Sequence, residues 1–195
     1  SDVFGLYAYR HAFNRRVLAI LAPAAGLGIG LGWLNATTLP VTLLTGFVGL
    51  IGTVFALSLL IQRGPAPKAR DARIGPGLFW GTLTGLTSFV SHAGAPPYQV
   101  YTLPLRMEKT VFAGTTTVLF AFVNAVKLVP YAALGQLSAA NLHVAALLAL
   151  PAVLAVFAGV HLVRILPEAL FFRLVTWALL AISLKHLVSA ALSAL

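Results

Sequence analysis

From Ser88 to Gln99 the chain sets Ser88, Ser91, His92, Gly94, Pro96, Pro97 and Gln99 within twelve positions of an otherwise apolar region. The two hydroxyls and the carboxamide donate hydrogen bonds, and donors converging on one spot suit the oxygens of a small anion. His92 adds a group that ionises near physiological pH and can sense or carry a proton. Glycine and paired prolines break the i→i−4 ladder. A broken helix end offers free N–H groups and the positive pole of a dipole to an anion. The competing structural account is a tight turn at Gly94 and Pro96-Pro97, capped by the polar side chains, with His92 a neutral cap. Such a break is tolerated at membrane depth only when buried in protein or lining a wet cavity.

A second polar group lies on one downstream apolar run, Val111 to Tyr131, which holds Thr115, Thr116, Thr117, Asn124 and Lys127. An ionisable residue inside a membrane span is a functional candidate by default, and a path for anions calls for a cation. Lys127 also stands about one turn from the end of the run, where it can snorkel. Threonines back-bond harmlessly in helices, so both accounts stay open. The candidate binding residues are Ser88, Ser91, His92, Gly94, Gln99, Thr115, Thr116, Asn124 and Lys127.

His143, His161 and His186 are isolated, and no pair has metal-ligand spacing with a carboxylate. No metal and no cofactor are expected. Ser88 precedes His92 by four residues and could meet it on one helical turn, but no elbow raises the serine and no third group orients the histidine. Intramembrane hydrolysis is the weakest alternative, and the chain is not expected to be an enzyme.

The elements that must position these residues follow from composition. The 195 residues are 59% hydrophobic and 9% charged, whereas soluble domains carry about 25% charged residues. The chain is therefore all-α, a polytopic helical membrane protein whose first partner is the lipid bilayer. A net charge of +9 would suggest nucleic acid in a soluble protein. Here the basic residues gather in short loops, as the positive-inside rule expects, and no basic stripe with interleaved aromatics exists. No nucleic-acid partner is expected. The absence of cysteine excludes disulfides and thiolate metal sites. The chain opens Ser1-Asp-Val-Phe-Gly, with neither Met nor a charged leader, and reads as truncated at its start.

In order, Asp2 to Tyr9 reads as the end of a helix, followed by the basic loop 10–16. Val17 to Leu34 is a span with glycine at 26, 28, 30 and 32, which permits close helix contact. After a turn at 35–39, Pro40 opens a second span to about Gln62, as Pro suits a first helical turn. Arg63 to Arg73 is a basic loop. Gly75 to Phe89 is apolar but too short to cross alone, since a span needs about 20 residues. The broken stretch follows, then Tyr98 to Leu105 and the charged turn 106–109. Val111 to Tyr131, Asn141 to Val163 and Glu168 to about Ser189 are further spans. If 75–105 enters and returns as a re-entrant hairpin, ten of the thirteen Lys/Arg share one face, with Arg173 able to snorkel there. That face is then cytoplasmic.

The spacing also carries an internal repeat. Asp2 precedes Tyr9 as Asn124 precedes Tyr131, and each pair leads to a span with an early Pro (Pro23, Pro151). A turn, a helix-opening Pro (Pro40, Pro167) and a last apolar span follow in both places. Residues 1–62 correspond to the rear of a unit whose whole form is 75–190, with 63–74 as the basic link and 75–195 as the complete second repeat. One tyrosine leads to the basic side and the other away from it, so the repeats are inverted. Transporters of this build place substrate near the membrane midplane at discontinuous helices.

The run Gly81-Thr-Leu-Thr-Gly-Leu-Thr-Ser-Phe-Val-Ser-His-Ala-Gly-Ala-Pro-Pro97 resembles the TauE/SafE family of sulfite and organosulfonate exporters. So do Lys109-Thr-Val-Phe-Ala-Gly-Thr-Thr116, Asn124, Lys127, Pro130-Tyr131 and Leu134-Gly135-Gln136. The opening Asp2-Val-Phe-Gly-Leu-Tyr-Ala-Tyr-Arg10 is similar to the end of that family's second helix; the family's Gly-rich first helix has no counterpart here. The resemblance implies seven or eight membrane segments in two repeats. It also implies export of a small sulfur-containing anion across the bacterial inner membrane, sulfite or an organosulfonate, by alternating access. Protons as coupling ion and a homodimer are partners compatible with it. The alternative is a half-transporter subunit that completes its site with another chain.

Overall fold

The computed structural model describes residues 2–36, 38–62, 68–135 and 139–193, with side chains for all but 139–142. Arg63 to Pro67 of the basic link, Thr37, Gln136, the Asn141 side chain, Ser1 and the two last residues lie outside the described residues. The elements are α1 (Asp2–Ala8), α2 (Arg15–Leu34), α3 (Val41–Ile61), α4 (Ile74–Ser91), α5 (Ala95–Thr102), a 3₁₀ turn (Leu103–Leu105), α6 (Lys109–Ala133), α7 (Ala139–Ile165) and α8 (Glu168–Leu192). Among the described residues there is no strand. Five helices are long and apolar enough to cross a membrane: α2, α3, α6, α7 from His143 onward, and α8.

Local chemistry explains the helix ends. Asn14 accepts the Val17 N–H at 3.1 Å as the N-cap of α2, so this helix starts two residues before the expected Val17 and takes Arg15 and Arg16 into its first turn. Glu108 caps α6, accepting from the Thr110 N–H at 3.1 Å and the Thr110 hydroxyl at 2.8 Å. These bonds favour the ionised carboxylate and hold the Glu108 carboxyl below its ordinary value. Pro40 and Pro167 stand at the N-caps of α3 and α8. Both α6 and α7 run two residues past their apolar stretches at each end, because helical hydrogen bonds do not stop where hydrophobicity does.

Glycine sets the packing. In α2, a Cβ on Gly28 would run into the Thr82 carbonyl of α4, and one on Gly32 would stand 2.8 Å from Phe89. Gly30 has nothing within 4 Å, and Gly26 meets only Phe122 at 3.9 Å. With 3.6 residues per turn, glycine at every second position divides between two faces, and only the 28/32 face is used. Gly85 answers from α4, where a Cβ would strike the Ala25 carbonyl. Likewise α3 lies on α8, Gly49 against the Leu187 N–H and the Ser183 carbonyl. Around these seams Val17, Leu21, Ile29, Tyr98, Leu119 and Val123 form a buried core. By contrast α7 turns its leucines outward, Leu150 being 69% exposed, as a lipid-facing helix must.

Five hydrogen bonds show which ends lie together. The Arg70 N–H donates to the Pro104 carbonyl at 3.0 Å, and the Tyr101 hydroxyl donates to the Arg73 carbonyl at 3.1 Å. The start of α4 and the end of α5 thus share one end of the bundle, so 74–105 is a helical hairpin. Lys109 Nζ donates to the carbonyls of Arg164 (3.1 Å) and Leu166 (2.6 Å), a cation on the negative end of α7. Asn14 N–H donates to Thr115 Oγ1 at 2.9 Å. The loops around 10–16, 68–73, 106–109 and 164 therefore gather at one basic end.

Candidate functional site

The helix break is built differently from the reading that gave it to Gly94 and the prolines. The first limb, α4, continues two residues beyond the expected Phe89 and stops at His92, which takes left-handed φ 54°, ψ 21°. That conformation costs a non-glycine residue about 1–3 kcal/mol, and Thr87 holds it in place. The Thr87 carbonyl accepts the N–H groups of His92 and Ala93 and, at 3.2 Å, the Ser91 hydroxyl. Its own hydroxyl lies 2.7 Å from the Leu83 carbonyl and 3.0 Å from the Ala93 carbonyl. Ser91 is thus engaged as a cap. Thr87, which the sequence reading quoted without a role, is the clamp.

Across 18 residues α4 rises about 27 Å, so the break stands high above the basic end. His92 borders a cavity of about 220 Å³ together with Ala36, Val41, Tyr131 and Leu134, which flank the uncharged turns. The break therefore lies toward the ends of α2, α3 and α6 that are remote from the basic end, and not halfway along these helices, where the repeat logic placed it.

The paired prolines also alter the anion argument. Gly94 is the N-cap of α5, so Pro96 and Pro97 occupy its second and third positions and carry no N–H. The Tyr98 N–H is bonded to the Gly94 carbonyl at 3.4 Å. Most of the donors expected at that helix end are absent or occupied, so binding power at the break has to come from side chains.

Lys127 supplies it. This residue is only 6% exposed, and its Nζ donates to Ser88 Oγ at 3.1 Å and to the Ser88 carbonyl at 3.4 Å. It does not snorkel; it turns inward to the last turn of α4, whose C-terminal carbonyls favour a cation. An ammonium has three protons, and one remains beyond the two on Ser88. The Ser88 hydroxyl, accepting from Nζ, keeps its own proton to donate. Next to this pair the Tyr131 hydroxyl donates to the Phe89 carbonyl at 3.2 Å, with the two rings stacked at 5.4 Å. A Cβ on Gly94 would stand 2.8 Å from Ser88 Cβ and 3.0 Å from the Thr84 carbonyl, so only glycine lets the break close over Ser88. One turn before Lys127, Asn124 Nδ2 donates to Asp2 Oδ2 at 2.9 Å, bringing a carboxylate within electrostatic reach of the lysine.

The other candidates lie elsewhere. Thr115 donates to the Val111 carbonyl and accepts from Asn14; twelve residues of α6, about 18 Å, separate it from Lys127. Thr116 shares a 2.8 Å hydrogen bond with the buried Tyr98 hydroxyl, and Thr117 donates to the Ala113 carbonyl at 2.9 Å. Among the described residues the buried Gln99 Oε1 has no hydrogen-bond partner, nor have the hydroxyls of Thr53 and Ser183. Gln99 stands three residues after Pro96, which packs against Gly52 of α3, and the Ser183 hydroxyl of α8 closes on the same glycine. Sequence reasoning missed Tyr131, Thr87 and this α3–α5–α8 seam. The Pro-Tyr dipeptide ending α6 was the only available signal for the first, and lone Ser and Thr residues in helices gave none for the last. Among the described residues no group of three His, Asp or Glu could hold a metal ion.

A family model described as Sulfite exporter TauE/SafE matches residues 1–186. No curated protein and no solved structure gives a match.

Proposed function

The chain belongs to the sulfite exporter TauE/SafE family, and we propose on that footing that it moves sulfite or a short organosulfonate out of the cell by alternating access. Membership in that family assigns it to transport of a sulfur-containing anion across a membrane and not to catalysis. The particular anion, the bacterial inner membrane as location, export as direction, protons as coupling ion, and residues 1–62 and 75–195 as the two units belong to the proposal.

The observation that carries the site is the inward-turned Lys127 on Ser88. A buried ammonium is costly unless paired, and among the described residues its hydrogen-bond partners are two neutral oxygens of Ser88. An incoming oxyanion can take the third ammonium proton, accept from the Ser88 hydroxyl, and neutralise the charge in a medium of low dielectric. Tyr131 and His92 stand on the outward side of this pair, and the orphaned oxygen of Gln99 lies on the adjoining limb. The exposure of His92 beside the cavity of about 220 Å³ supports giving it the proton-carrying role in this reading.

The test is unfolding temperature in detergent against sulfite, thiosulfate, taurine, sulfoacetate and chloride. A ligand held only by the folded state stabilises it by about 2.7 kcal/mol at a hundredfold excess over its Kd. A selective rise with one sulfur anion, lost in Lys127→Met, is the expected result. Equal responses to all five, or a rise that survives Lys127→Met, would overturn the assignment.

A further inference from the structure

A cavity of about 1140 Å³ lies at the basic end, between the end of α3, the start of α8 and the α4–α5 hairpin. Among the described residues four cations line it, Lys68, Arg70, Arg106 and Arg173, against a single carboxylate, Glu168. None of the residues of the Ser88–Lys127 site borders it. The positive-inside rule accounts for basic residues on this side of the membrane, but not for their convergence. They come from three separate segments: the link before α4, the turn after the hairpin, and the second turn of α8. Arg173, expected to snorkel, borders this space.

Two of the four are fixed by their backbones. Arg106 is held at φ 49° with its N–H on the Leu103 carbonyl at 3.2 Å, a conformation that disfavours any side chain but places this one at the cavity. The Arg70 N–H is tied to the Pro104 carbonyl at 3.0 Å. A cleft lined by one sign of charge, with low-dielectric walls, concentrates counter-ions severalfold or more. Its size decides what kind of site it is. A water occupies about 30 Å³ of liquid, so the space holds tens of waters, far more than one sulfur oxyanion fills. An anion there keeps its hydration and is selected by charge, not by shape.

We propose that this cavity is a hydrated antechamber that gathers small dianions from the cytoplasmic side ahead of the tighter site. Its purpose rests on the transport reading above; its binding does not. Preference follows charge: dianionic sulfite and sulfate over iodide or chloride, and these over zwitterionic taurine. The same oxyanion chemistry is also offered by the phosphodiester of an anionic lipid headgroup, and the experiment separates the two sources.

Two of the three tryptophans, Trp80 and Trp177, border the cavity, which gives a readout independent of transport. In a Trp33→Phe background, at constant ionic strength and in phosphatidylcholine nanodiscs, fluorescence is quenched by iodide, by caesium and by neutral acrylamide. The expected result is strong iodide quenching relative to acrylamide and weak caesium quenching. Iodide quenching should fall about threefold or more in Arg106→Gln/Arg173→Gln, while acrylamide quenching is unchanged. Sulfate or sulfite should suppress it at concentrations where taurine does nothing. Lys68→Gln/Arg70→Gln supplies an independent pair should the first fold poorly. Lys127→Met should lose anion-dependent stabilisation yet keep the iodide pattern, so failure of the transport site and failure of the antechamber are separable. Equal quenching by iodide and caesium, or no change on neutralisation, would overturn the proposal. So would insensitivity to sulfate combined with loss of iodide access when phosphatidylglycerol is added, which would make the lining a lipid headgroup seat.

Discussion

Asn124 donates to Asp2 at 2.9 Å across 122 residues of chain, and these are the two positions that the proposed internal repeat places in the same slot of α6 and α1. In an assembly related by a two-fold axis, a residue touches its own counterpart only near that axis. In the proposed repeat the α1–α6 pair would mark that axis, and Gly5 against Thr117 and Gly114 against Ala12 continue the contact between antiparallel segments. A hydrogen bond to a carboxylate is worth about 1.5–3 kcal/mol when sheltered, and the exposure of Asn124 places this one at or below the lower end. Asn124→Leu should loosen α1 and hasten proteolysis in the 10–16 loop, with Asp2→Leu adding little in the double variant. Additive effects in that cycle would show that the two side chains are not coupled.

Ser88 and Lys127 should respond oppositely to removal. Ser88→Ala leaves a buried ammonium short of an acceptor, a loss of about 1–3 kcal/mol visible as a lower unfolding temperature. Lys127→Met removes the charge and keeps the volume, which should change stability by no more than about 1 kcal/mol while abolishing anion-dependent stabilisation. A severe destabilisation by Lys127→Met would mean that the lysine is chiefly structural.

The glycines of α2 separate just as cleanly. Gly28→Ala drives a methyl into the Thr82 carbonyl, and since the obstacle is backbone the helices must part, at about 1–3 kcal/mol or more. Gly30→Ala meets nothing within 4 Å and should stabilise by about 0.5–1 kcal/mol through helix propensity. Thermal unfolding of the two variants side by side checks the packing face. Equal effects would show that the faces are misassigned.

Glu108 gives a pH dependence. Its carboxyl is held below the ordinary value of 4.5, first by the Thr110 hydroxyl and then by the Thr110 N–H. A group whose folded pKa is depressed contributes stability above its unfolded pKa and loses it as pH falls through the folded one. Glu108→Gln should therefore be less stable than the parent near neutrality and equal to it in acid, with the gap closing below pH 4.5. Being solvent-exposed, this cap should have a small effect. A gap that persists in acid would assign it to shape instead of charge.

Much of this was legible in the sequence. Pro40 and Pro167 marked helix starts because a fixed φ and a missing N–H suit only the first turn. The basic loops found one end of the bundle because charge in short loops has one cheap place to go. The fate of individual polar side chains was not legible. Ser91 and Thr115 have the same chemistry as Ser88, and only the folded chain decides that two of these hydroxyls are engaged locally and the third meets an ammonium. Lys127 and Arg173 both could snorkel; a neighbouring helix end, distant in sequence, turned Lys127 inward, whereas Arg173 stays exposed beside the cavity at the basic end. The break itself fell at His92 because Thr87 could hold a left-handed residue, a partnership that composition does not announce.

The seams between α2 and α4 and between α3 and α8 each join a helix from before the basic link to one from after it. The two halves of the chain are thus interleaved like clasped hands, and neither can pivot as a body while the glycine contacts last. Pro96 of the hairpin rests on Gly52 of α3 beside Ser183 of α8, so a nick in the basic link should leave both seams joined, whereas a methyl at Gly52 should force this three-helix contact apart.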